Sequence, residues 1–185
     1  MCRSAIVLLF LAAGCGPAAQ GDPGERGPQG EPGPTGPAGP PGSAGLTLVE
    51  AVGTGQLAVT AATNYSLIPG LTVTVSVPAY ATVHVQTNGG LQCTAAGTAY
   101  SAVDIAVFVD GSITNAQRRV VAANTTAVGQ IIANWSFGRV IPVSAGTHTI
   151  EVRAAGADAG MATANVSSSS SPQLQGVLTV TTQVE

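Results

Sequence analysis

Leu71-Thr72-Val73-Thr74-Val75-Ser76-Val77 alternates apolar and small polar residues without a break. Successive side chains of an extended chain point to opposite sides, so Leu71, Val73, Val75 and Val77 share one face and the hydroxyls share the other. A run of this kind is a strand with one buried face; a helix would scatter the same residues around its circumference. Pro78 closes the run, and Tyr80 to Gln86 (YATVHVQ) resumes it with Ala81, Val83 and Val85 inward. Asn88-Gly89-Gly90 reads as a turn. Val103 to Val109 (VDIAVFV) alternates as far as Asp110-Gly111, a dipeptide that accepts the positive φ angles of a two-residue hairpin, and Arg118 to Ala123 is the expected partner strand. Trp135 to Val143, Thr147 to Ala154 and Leu174 to Val184 are further strands, the first two joined by Ser144-Ala145-Gly146. Weaker segments lie near Leu46 to Val52, Leu57 to Ala61 and Met161 to Val166. Nowhere does a 3.6-residue period run for three turns. Nine or ten short strands across residues 46–185 predict an all-β head, an antiparallel β-sandwich of jelly-roll type.

Upstream of the strands the composition changes. From Gly21 the chain reads GDP GER GPQ GEP GPT GPA GPP GSA, with Gly21, Gly24, Gly27, Gly30, Gly33, Gly36, Gly39 and Gly42 in unbroken phase and Gly45 after them. Three polyproline II strands wind around a common axis only if every third residue lacks a side chain, so a strict period of three points to three chains in a triple helix over residues 21–45. The other reading is a flexible Gly/Pro linker, although linkers seldom keep phase over so many triplets. The rod would be roughly 70 Å long at about 3 Å per residue. It would also be weak. Only Gly39-Pro40-Pro41 fills both variable positions with Pro, and an interchain Glu25–Arg26 pair adds at most about 1 kcal/mol. Registration of the chains is therefore expected to come from residues 46–185.

Residues 1–14 contain one Arg and the nine-residue apolar run Ala5 to Ala13 (AIVLLFLAA), the form of a secretory signal. Spanning a bilayer takes roughly 20 apolar residues, so this run is too short to be an anchor. Leu11-Ala12-Ala13-Gly14-Cys15 resembles the lipobox of bacterial lipoproteins, with Ala12 where Leu is usual. That resemblance implies acylation of Cys15, a lipidated spacer over residues 15–20, and a membrane partner reached through lipid. Gly16 after the Cys, where Asp would favour retention at the inner membrane, implies the outer membrane or cell surface of a bacterium. The residues by themselves also permit ordinary cleavage near Gln20, which leaves a secreted protein.

Only 8% of the chain is charged; all six basic residues are Arg, nine residues are acidic, and the net charge is −3. Such a chain has no electrostatic footprint for nucleic acid. Residues 46–185 hold six acids and four Arg. So little charge on a head of this size leaves surface poorly solvated unless part of it is covered by other subunits.

No residue pattern in the chain specifies chemistry. His84 and His148 each fall on an expected strand with no metal-binding spacing between them, and a satisfied imidazole is the plainer reading. Asp104 and Asp110 are open to calcium or to plain strand and turn roles, without a surrounding cluster of oxygen ligands. Glu151 and Arg153, two residues apart on one strand, read as a surface pair. Cys93 has no Cys left to pair with once Cys2 and Cys15 are accounted for, so it is either a buried thiol or a link between chains. Asn64, Asn124, Asn134 and Asn165 match the glycosylation sequon, and these matches mean nothing if the resemblance to a bacterial lipobox holds. The five-serine run Ser167 to Ser171 reads as a polar loop. Ser and Thr abound without a nucleophile context, so no enzyme activity, metal or cofactor is expected.

A Gly-X-Y stalk followed by a head of short antiparallel strands resembles the collagen-like surface proteins of bacteria, with heads of the complement-subcomponent and tumour-necrosis-factor class. The resemblance implies a homotrimer that projects a β-sandwich head to recognise or adhere to a glycan or a surface protein. The alternative it leaves is a purely structural coat component whose heads bind nothing specific.

Overall fold

In the computed structural model, residues 21–36 and 45–184 are described. The signal segment 1–14, Cys15 and the glycines at 39 and 42 lie outside them. The chain divides into two units, residues 1–40 and 41–185.

In the first unit, residues 21–36 form no helix, strand or turn and are exposed throughout. A methyl group added at Gly21, Gly24, Gly27, Gly30, Gly33 or Gly36 would meet nothing within 4 Å.

The second unit is all β among the described residues, with ten strands: β1 (Leu46–Val52), β2 (Leu57–Val59), β3 (Ser66–Val77), β4 (Ala81–Cys93), β5 (Tyr100–Val109), β6 (Ser112–Ala123), β7 (Ile132–Ile141), β8 (Gly146–Gly156), β9 (Ala164–Val166) and β10 (Val177–Val184). Every pairing is antiparallel. One sheet runs β1-β10-β4-β9-β2, with β7 on the other side of β4; the second runs β3-β8-β5-β6. The alternation in residues 71–77 resolves as expected: Leu71, Val73, Val75 and Val77 are buried and the residues between them exposed. They meet Val83 and Val85 of β4, Val103, Ile105 and Val107 of β5, Ile150 and Val152 of β8, and Leu178 and Val180 of β10 in one core between the sheets. Two inward-facing apolar layers that exclude water from each other make a β-sandwich. The Asp110-Gly111 hairpin joins β5 to β6 with φ of 49° and 77°, the positive values a two-residue turn requires.

The turn expected at Asn88-Gly89-Gly90 is absent: β4 runs straight through it. The glycines serve close packing instead. A Cβ on Gly89 would collide with the Trp135 indole across the strand pair, and one on Gly90 would stand 2.7 Å from the Gln173 carbonyl oxygen. Trp135 is thereby buried against β4, and its Nε1 donates to Thr87 Oγ1 at 3.1 Å while Thr87 Oγ1 donates to the Val177 carbonyl at 2.9 Å. That relay satisfies the two buried polar side chains.

The strand expected from Leu174 begins only at Val177. Before it, the five-serine run is no simple polar loop. Ser167 is fully buried at φ 61°, and its hydroxyl accepts from the Gly176 amide at 3.1 Å. β9 and β10 flank the same side of β4 in succession, with Val166 opposite Leu91 and Val177 opposite Asn88, and the serine run makes the short crossing between them.

Candidate functional site

Two outward faces remain after the core is formed. On the first sheet, register places Leu48, Thr181, His84 and Val140 in one row and Glu50, Thr179, Gln86 and Gly138 in the next. Leu46 and Leu48 are 65% and 60% exposed, Val140 is 59% exposed, and Val52 is also exposed. Thr, Gln and Asn fill the positions between them, and Glu50 is the one carboxylate in these rows.

On the second sheet the outward residues of β5 are Ala102, Asp104, Ala106 and Phe108. Phe108 is only 6% exposed although it faces away from the core. Its ring is covered from two sides, by the Arg153 guanidinium 4.6 Å from its centroid and by the Tyr65 ring at 5.3 Å and 60°. Tyr65 sits just before β3 and leans across the sheet until its hydroxyl donates to Gln117 Oε1 at 3.4 Å. The segment leading to it is tied down. Thr60 and Thr63 close a turn with Thr63 N donating to the Thr60 carbonyl at 3.0 Å, and the Thr63 carbonyl accepts from Gly156 N at 2.9 Å. The wall so formed encloses an open cleft of about 610 Å³ with Asn64, Tyr65, Asp104, Phe108 and Ile113 along it.

Two ion pairs stand at this cleft. Arg119 donates to both Asp104 oxygens, at 2.8 and 2.9 Å, and Arg153 donates to Glu151 Oε2 at 2.6 and 2.9 Å. Burial and, after it, the Asp104 carboxylate push the Tyr65 phenol above its ordinary value, with Arg119 opposing, so the hydroxyl keeps its proton and remains a donor at neutral pH.

The residues singled out from sequence are not brought together. His84 is exposed on the first sheet, whereas His148 lies on β8 in the second, its Nδ1 2.7 Å from Asp110 Oδ2 and its Nε2 3.0 Å from the Ser144 carbonyl oxygen. Asp110 also accepts from Thr149 N at 2.8 Å. Asp110 and Asp104 thus sit in separate hydrogen-bonded pairs, with His148 and with Arg119, and are not gathered into a common cluster of oxygen ligands. No group of three or more His, Cys, Asp or Glu among the described residues could hold a metal. Glu151 and Arg153 pair as expected, half-buried beside Phe108 and not fully in solvent. Cys93 is a buried free thiol. Asn124 is buried too, donating to the Cys93 and Ala95 carbonyls.

Sequence reasoning missed Tyr65, Phe108 and Arg119. The outward apolar Phe108 in VDIAVFV was the available signal, because a strand with one face in water has no need of it. No protein-family model matches the chain, and no curated protein matches it.

Proposed function

We propose that the protein is a lipid-anchored, trimeric, collagen-like surface protein whose β-sandwich head presents a recognition surface beyond the membrane. One observation carries the assembly: glycine holds strict phase from Gly21 to Gly36, yet within one chain a methyl at any of these positions would touch nothing. Intrachain packing gives no reason for the phase. Close approach of other chains gives one.

The head supports the same reading. Its eight longer strands are ordered β1-β10-β4-β7 and β3-β8-β5-β6, so that the chain repeatedly crosses between the sheets as a jelly roll does. The first sheet's outer face, with Leu46 and Leu48 directly after the Gly-X-Y segment, is apolar enough to be covered by a second copy and nearly free of charges that would need desolvating. Lipid on Cys15 would hold the assembly at the outer membrane or cell surface. The cleft on the opposite sheet favours recognition over a purely structural coat, since a coat needs no walled surface with matched charges.

Sedimentation of the full chain and of Gly33→Ala tests the proposal. Both should sediment as three chains, and the variant should lose the positive circular-dichroism band of the triple helix and become cleavable by protease between Gly21 and Gly45. Equal cleavage of parent and variant would make the segment a linker. A Cys15→Ala chain that fractionates with membranes as the parent does would remove the lipid anchor.

A further inference from the structure

We infer that the cleft between Tyr65 and Asp104 on the outer face of β3-β8-β5-β6 is a binding site for a neutral saccharide, which gives the recognition surface proposed above its ligand class. The lining combines the two surfaces a pyranose ring needs. Tyr65 and Ile113, the latter 47% exposed, offer an apolar flank for the C–H face of a sugar. Asp104 offers a carboxylate whose orientation is set by the two-pronged Arg119 contact, and each of its oxygens keeps a lone pair for a sugar hydroxyl. The exposed Asn64 amide supplies both a donor and an acceptor at the rim.

Charge narrows the ligand class. Asp104 is neutralised by Arg119 and Glu151 by Arg153, so a phosphate finds no uncompensated cation; Asp158, a further carboxylate near Arg119, is engaged by the Tyr100 hydroxyl and Gly160 N and does not line the cleft. A purely apolar ligand is disfavoured for a different reason, because it would strip water from Asp104 without replacing its hydrogen bonds. The cleft of about 610 Å³ lies within the range of small-molecule sites and is open to solvent, so a longer glycan chain can continue out of it. Its walls are built before any ligand arrives, through the Thr60–Thr63 turn and the Thr63–Gly156 bond.

The test is calorimetric titration of the full chain in detergent with methyl glycosides of glucose, galactose, mannose and N-acetylglucosamine and with a trisaccharide of each. N-acetylneuraminic acid and glucose 6-sulfate serve as charged counterparts. At least one neutral saccharide should saturate at millimolar concentration or below, and Tyr65→Ala and Asp104→Asn should each weaken it tenfold or more. Asp104→Asn preserves shape, so it tests the site even where Tyr65→Ala disturbs folding. Absence of saturable binding by every neutral sugar, preference for the charged ones, or binding indifferent to Asp104→Asn would overturn the inference. Sedimentation of the same samples separates it from the assembly reading: trimers that bind no neutral sugar overturn the site alone. Monomers that bind one through Tyr65 and Asp104 support the site and overturn the assembly.

Discussion

The two outer faces of the sandwich are made of the same kind of strand and differ in what they can tolerate. Across β1, β10, β4 and β7 the outward rows carry aliphatics, Thr, Gln and Asn around a single carboxylate, Glu50. Across β8, β5 and β6 the outward rows carry Asp104, Arg119, Glu151 and Arg153, paired two by two. Covering the first face removes apolar surface from water at little desolvation cost, whereas covering the second would dehydrate four charges for no new partner. On the proposed reading the first face is the one covered by another copy of the chain, and the second stays in water.

The largest effect should come from putting a charge on each face in turn. Leu48→Asp would bury an unpaired carboxylate at every contact made by the first sheet, a cost of several kcal/mol that should weaken association at least about a hundredfold. Ile113→Asp makes the same change on the second sheet and should leave the assembly intact. Both side chains are largely exposed within one chain, so both variants should fold. Sedimentation decides the matter. Loss of the assembly in Ile113→Asp and its retention in Leu48→Asp would reverse the assignment of the faces.

A smaller effect separates the first face from its backing. Gly89→Ala would drive a methyl into the Trp135 indole and the Gly176 backbone, and such overpacking should cost about 1–3 kcal/mol by denaturant unfolding. The outward residues are untouched, so the folded fraction should still assemble. Unchanged stability would mean that Trp135 leaves its place readily and that Gly89 is not held by packing.

The smallest effect is a pH dependence confined to the second sheet. The hydrogen bond from His148, joined by Thr149 N, holds Asp110 below its ordinary 3.8, and the same bond to Asp110 holds His148 above its ordinary 6.5 against the opposing effect of burial. Asp110 therefore contributes stability that is full above 3.8 and lost as pH falls through its lowered value. His148 contributes stability that is full below 6.5 and lost as pH rises through its raised value. Unfolding midpoints should be highest between these limits, and His148→Gln should remove the decline on the alkaline side. An unaltered alkaline decline in that variant would place its origin elsewhere.

The strand pattern was legible because burial on one face of a strand writes itself at a period of two, and residues 71–77 and 147–154 display it directly. Asn88-Gly89-Gly90 misled because glycine has two uses, permissive backbone and absent side chain, and only the position of Trp135 across the strand pair shows which applies. The Asp104–Arg119 pair was hidden by one irregularity. Counting back from the Asp110-Gly111 hairpin through Phe108 opposite Ile113 sets Asp104 against Gln117; the register shift between Ala106 and Phe108 sets it against Arg119 instead.

By itself the sequence determined the all-β class, the inward residues of the long strands and the phase of the glycine repeat. Each of these is written locally, in a period of two or three along the chain. Only the tertiary structure decided that Tyr65 reaches across the second sheet to Phe108 and Gln117, that the charges of that face cancel in pairs, and that Leu46, Leu48, Val52 and Val140 fall on one surface. These facts join residues tens of positions apart through sheet order and register. Sheet order and register follow from how the whole core closes, and no single stretch of the chain encodes them.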